Sequence, residues 1–134
     1  MADKEIDIRV FGEVAQYALD YLDECVKEGK FDPGKLMATC WVGSLCTANG
    51  LGAIKFETRS PDEGVRNVLD GLLGFCEIMA NLSGLQLACV ENPTAKRVFI
   101  FHPDLISKDS LEKGRYYGYS NLTRESLKDL GVAE

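Results

Sequence analysis

Residues 60–103 limit the folds open to this chain more than any other stretch. The first part, SPDEGVRNVLDGLLGFCEIMANLSG, opens with helix-starting residues and is then apolar around most of its circumference. The second, LQLACVENPTAKRVFIFHP, is two apolar runs joined by a turn. A long covered helix followed at once by a hairpin needs a sheet on which to lie, so the chain must be an α+β domain with a substantial core.

In the helix, Ser60 is the expected cap, with Pro61 in the first turn and Glu63 completing a capping box. The apolar positions include Val65, Val68, Leu69, Leu72, Phe75, Cys76, Ile78, Met79 and Leu82, and Asn67, Asp70, Glu77 and Asn81 make a narrow polar stripe. Gly71 and Gly74 cost roughly 1 kcal/mol each in helix propensity. A close neighbour should offset that, either another helix or a second copy of the chain. In the hairpin, Pro93 marks the turn, and Val98, Phe99, Ile100 and Phe101 form a strand covered on both faces. A turn centred between Thr94 and Ala95 sets Cys89 opposite Ile100 and His102 opposite Leu87.

The first dozen residues, with IDIRVF, read as a polar tail or short edge strand. Residues 10–30 then give an amphipathic helix, with Phe11, Val14, Ala18, Tyr21 and Cys25 on one stripe and Gly29 as its stop. Asp32 and Pro33 open a second expected helix over 36–48, without a polar face, which Asn49-Gly50 ends. GAIKFET alternates as a strand, with Ile54 and Phe56 inward and Lys55 and Glu57 toward water. A short helix (SKDSLEKGRYY) and a last helix capped at Thr123 follow. The expected order is α-α-β-α-β-β-α-α, in a small antiparallel or mixed sheet of three to four strands with helices mainly on one side. No repeat, linker or low-complexity stretch divides residues 1–134, which form one domain.

A chain of 134 residues, 46% apolar, folds without metal or disulfide staples. Its net charge of −6 argues against nucleic acid and anionic membranes as partners. The nineteen uncharged residues 36–54 approach a spanning length, but their glycines and Asn49-Gly50 argue for a buried soluble segment. Five cysteines without a CxxC spacing, and no secretory leader, indicate buried reduced thiols in a cytosolic protein. Charge is uneven: residues 1–32 carry nine acids against four bases, and residues 93–128 carry seven bases against four acids.

Four features bear on chemistry. His102, the single histidine, sits at a strand end and is the one candidate proton carrier. Cysteines at these spacings and one histidine make no metal set, and no cofactor signature occurs. The glycines at 50 and 52 follow an expected helix, the reverse of a phosphate loop. The segment KGRYYGYSN offers Lys113, Arg115, Tyr116, Tyr117 and Tyr119, with Lys96 and Arg97 as possible neighbours. Tyrosine and arginine present stiff amphipathic contact area, so this basic, tyrosine-rich part is the best candidate binding surface.

The sequence leans away from an enzyme. The leading expectation is a small non-catalytic cytosolic interaction or accessory module that forms a homo-oligomer and contacts other proteins. It rests on more apolar surface than a lone domain of this size needs, notably Trp41, Phe75 and Phe99. The alternatives are a binder of a small anionic ligand such as a nucleotide, through the C-terminal bases and tyrosines, and an acidic inhibitor of a basic nucleic-acid-binding partner. A small enzyme using His102 ranks last.

Overall fold

The computed structural model describes residues 9–41, 52–113 and 119–129, and only the backbone of residues 40, 41, 119 and 120. The chain begins with helix α1 (Arg9–Lys27) and a single 3-10 turn (Pro33–Lys35). Strands β1 (Met37–Trp41) and β2 (Ala53–Thr58), helix α2 (Glu63–Leu82) and the hairpin β3 (Gln86–Asn92) and β4 (Ala95–Phe101) follow. Helix α3 (Lys108–Glu112), strand β5 (Tyr119–Asn121) and helix α4 (Arg124–Asp129) complete it. The sheet runs β3-β4-β2-β1-β5, and every neighbouring pair is antiparallel.

The α+β class and the expected order hold, with the 3-10 turn in the place of the second helix and two strands added. The helix expected over 36–48 is, at 37–41, the strand β1; residues 42–48 lie outside the described residues. An apolar run without a polar face fits a covered helix and a covered strand equally well. Pairing with β2 decides between them: Ala38 meets Phe56 and Cys40 meets Ile54.

Both long helices end in the same way. Gly29 takes φ +71° and Gly84 φ +74°, a region glycine enters freely. Past α1, Lys30 N–H reaches the Cys25 carbonyl at 2.9 Å and Gly29 N–H the Val26 carbonyl at 3.0 Å. Past α2, Leu85 N–H reaches Ala80 at 2.8 Å and Gly84 N–H reaches Asn81 at 3.2 Å, and Leu85 and Ala80 are both buried. The start of α2 differs from expectation. Asp62 is the cap, its carboxylate accepting from Gly64 N–H at 2.8 Å, while Ser60 Oγ accepts from Asp62 N–H at 3.1 Å. SPDE holds two capping residues, and the second also pairs with Lys35 at 2.8 Å. That bond, then the Gly64 N–H, holds the Asp62 carboxyl below the usual carboxylate range.

One sheet face carries the main core. Ile54, Phe56, Val98 and Ile100 form its floor, and Phe11, Val14, Ala18, Leu69, Leu72 and Cys76 of α1 and α2 lie on it. Fully burying a leucine such as Leu69 or Leu72 contributes about 2 kcal/mol. The other face holds a smaller cluster, in which Ile106 and Leu111 cover Ala53, Ala88, Phe99 and Phe101. So β4 is buried on both sides, as its unbroken apolar run requires. In the hairpin, Asn92 Oδ1 accepts from the N–H groups of Thr94 and Ala95, both at 2.9 Å. This centres the turn between Pro93 and Thr94. Cys89 therefore meets Val98 rather than Ile100, a slip of two residues that keeps each side chain on its expected face.

Gly71 and Gly74 separate cleanly. A Cβ on Gly71 would lie 2.1 Å from Tyr21 Oη, so this glycine exists for the approach of α1, and Tyr17 and Tyr21 stack on Phe75 at centroid distances of 4.2 and 4.7 Å. A Cβ on Gly74 meets nothing within 4 Å among the described residues. Gly71→Ala should therefore lower stability by about 1 kcal/mol, the displacement of Tyr21 outweighing the gain in helix propensity. Gly74→Ala should raise stability by about 1 kcal/mol. Urea denaturation of the two variants checks the opposite signs.

Candidate functional site

The alternation of β2 and β4 places a charged strip on the sheet face away from α1 and α2. Lys55 meets Phe99, and Glu57 meets Arg97. Both Lys55 and Glu57 are buried, not turned to water as their alternation suggests, because β2 is a central strand. Arg97 Nε donates to Glu57 Oε2, Lys55 Nζ lies 3.5 Å from Oε1, and Arg59 Nε lies 3.9 Å from Oε2. Burial pushes the Glu57 carboxyl up, but Lys55, Arg97 and Arg59 together outweigh it and hold the group below the usual glutamate range. Thr39, paired with Lys55 across β1 and β2, has a buried hydroxyl with no hydrogen-bond partner among the described residues.

Lys96 faces the opposite way. Its ammonium is buried and donates to Asp70 on α2, with Glu91 at 3.3 Å, and Arg66 reaches Glu91 at 3.4 Å and the Pro93 carbonyl at 3.4 Å. Burial disfavours the Lys96 charge, yet Asp70 and Glu91 raise its pKa overall. These contacts pin α2 to the hairpin.

The surface expected from Lys96, Arg97, Lys113, Arg115, Tyr116, Tyr117 and Tyr119 is therefore not assembled from its flanks. Lys96 and Arg97 occupy opposite faces, and Lys113 pairs with Asp109 at 3.3 Å within one turn. The Tyr119 backbone lies three strands and four residues from Arg97, roughly 20 Å across the sheet. Arg115, Tyr116 and Tyr117 lie outside the described residues, as does the Tyr119 side chain. His102 shapes a turn: its Nδ1 accepts from Asp104 N–H at 3.2 Å, and its carbonyl accepts from Leu105 and Ile106 at 2.9 and 3.1 Å. Cys89 is four residues from the His102 row, roughly 13 Å along the sheet. Burial pushes the Cys76 thiol up to about 12 and raises that of Cys89, so neither supplies a ready thiolate at neutral pH. Among the described residues no group of three or more His, Cys, Asp or Glu side chains is placed to hold a metal, and no helix is long and apolar enough to cross a membrane.

The acidic and basic ends of the chain meet each other. Arg124 Nη2 donates to Asp20 at 2.7 Å and to Asp23 at 2.9 Å.

The exposed surface is more distinctive. Phe99 is buried within the subunit, so it gives no apolar surface to a partner. On α2, Phe75, Ile78 and Leu82 are 38%, 70% and 80% exposed, at helical spacings of three and four. A second apolar area surrounds a groove of about 390 Å³ between α1, β1 and the β5–α4 turn, where Val26 and Met37 are exposed. On the other flank of α2, beside β3, Leu73, Gly74, Glu77, Asn81, Gln86 and Leu87 line a groove of about 470 Å³.

Compared with protein-family models, curated proteins and solved structures, the chain matches none of them.

The Glu57 network carries a stability signature. Glu57→Gln leaves Lys55 and Arg97 without their shared counter-charge and should cost about 3 kcal/mol at neutral pH. A lowered folded-state pKa contributes stability that is present above the ordinary glutamate range and lost as pH falls through the folded value. Denaturation at a series of pH values should therefore show wild type and variant converging on acidification.

Proposed function

We propose that the protein is a small non-catalytic interaction module of the cytosol that self-associates and contacts other proteins. The observation that carries this reading is the stripe of Phe75, Ile78 and Leu82 on α2. Water around two largely exposed aliphatic side chains costs roughly 25 cal/mol per Å² of apolar area, and a helical stripe at these spacings fits against a second helix or a symmetric copy of itself. Phe75, held between Tyr17 and Tyr21, is rigid before any partner arrives, which limits the entropy lost on contact.

A second reading, a site for a small anion, is favoured by the strip on the far sheet face. Arg59 and Arg97 both reach Glu57 from this face, and beside them the Thr39 hydroxyl has no partner among the described residues. An inhibitor of a basic partner draws less support, because Arg124 already engages Asp20 and Asp23.

Sedimentation equilibrium at micromolar concentration tests the first reading. The wild type is expected to form a dimer or larger assembly whose melting temperature rises with protein concentration, and the double variant Ile78→Glu, Leu82→Glu to sediment as a folded monomer whose melting temperature does not. A wild type that stays monomeric throughout the range rules the reading out. A melting temperature that rises with phosphate in wild type but not in Thr39→Val would favour the second.

A further inference from the structure

Three observations converge on the groove between α2 and β3. Among the described residues, the strand β3 is an outer strand of the sheet, and its seven residues pair only with β4. Alternate residues of such a strand turn N–H and C=O groups away from the sheet. Proteins usually protect a long edge with lysine or proline within the strand, and QLACVEN has neither.

The second observation is Gly74. It interrupts a long helix at a cost in propensity, and among the described residues nothing lies within 4 Å of the Cβ position it leaves empty. Gly71 is explained by Tyr21; Gly74 opens onto the groove.

The third is charge. The side chains of Asp70 and Glu91 are 58% and 48% exposed, and Glu77 is exposed on the groove itself. The nearby bases, Lys96 and Arg66, are 4% and 17% exposed and already paired with those acids. Solvent along this flank therefore meets negative charge over buried positive charge.

We infer that the groove takes an extended, basic peptide segment of a partner protein as an additional strand beside β3. A small or apolar side chain sits over Gly74 and Leu87, and a lysine or arginine reaches Glu77. The free edge supplies main-chain bonds, and the groove selects the side chains that alternate toward α2. The groove borders the self-association stripe: Glu77 lies about 100° around the helix from Ile78, while Gly74, one turn before Ile78, sits at the border between the two.

The test is fluorescence anisotropy with three labelled peptides: acetyl-Lys-Thr-Val-Thr-Lys-amide, the same peptide with glutamates for lysines, and the lysine peptide with proline for valine. The lysine peptide should bind several-fold more tightly than either of the others and slow hydrogen exchange at the β3 amides. Gly74→Leu, which adds a good helix former at an open position, and Glu77→Lys should each weaken it several-fold. An Ile78→Ser, Leu82→Ser variant, which removes the stripe without adding charge beside Gly74, should bind it like the wild type, so failure of self-association leaves this result standing. The proposal is overturned if lysine and glutamate peptides bind alike, if Gly74→Leu binds undiminished, or if no peptide binds. It is also overturned if β3 amides become protected with rising protein concentration alone, which would make a second copy the occupant.

Discussion

In the pairing of β2 with β4, Ile54 meets Ile100 and Phe56 meets Val98. Those four side chains are the floor on which α1 and α2 lie. The same register sends Lys55, Glu57, Arg97 and Phe99 to the other face. A slip of one residue would place the charges under the helices and the aliphatic side chains opposite them. The core and the charged strip are thus two consequences of one alignment. The fold tolerates a buried lysine and glutamate because the alignment that buries them sets Glu57 between Lys55 and Arg97.

That strip and the Lys96 cluster use charge differently. Glu57 gathers three bases on one sheet face, and its ties are within the sheet. Lys96 ties two elements together, since Asp70 belongs to α2 and Glu91 to β3. Ion pairs at exposed positions contribute little, but a lysine at 4% exposure cannot leave its acids without stranding a charge. The position of α2 over the hairpin, and with it the width of the β3 groove, is therefore fixed by a contact that does not slide.

Much of this was legible in the sequence, and what was not has physical causes. The periodicity of α1 and α2, the alternation of GAIKFET and the double-sided run VFIF each follow from one dominant packing direction, and each became the expected element. The strand β1 did not, because a segment apolar on all sides has no periodicity to read, and its pairing with β2 is a long-range fact. The cap of α2 moved from Ser60 to Asp62 because both residues are competent and Lys35, distant in sequence, favours the second. Alternation told which face Lys55 and Glu57 occupy but not how deep, since depth depends on the strands on either side. Which bases lie beside the Arg115 segment is a long-range fact that sequence does not carry; Lys96 and Arg97, adjacent in a strand, point to opposite faces and could not both have joined it. The β3 groove had one signal in the sequence, a helical glycine without an evident partner, and that signal did not say which flank of the helix it opened.

The helix α2 has three working sides. One, through Leu69, Leu72 and Cys76, is spent on the core. A second carries Gly71 and Phe75 against α1 and continues into the exposed Ile78 and Leu82. The third faces β3 across Gly74. A helix that only had to cover a sheet would need the first side alone and would use polar residues elsewhere. The two glycines differ: Gly71 makes room for Tyr21, and beside Gly74 no described residue comes within 4 Å of the Cβ position. The stripe through Phe75 and Leu82 and the groove through Glu77 and Asn81 are centred on different flanks of one helix and meet only where Gly74 adjoins Ile78, so contacts on the two need not exclude each other.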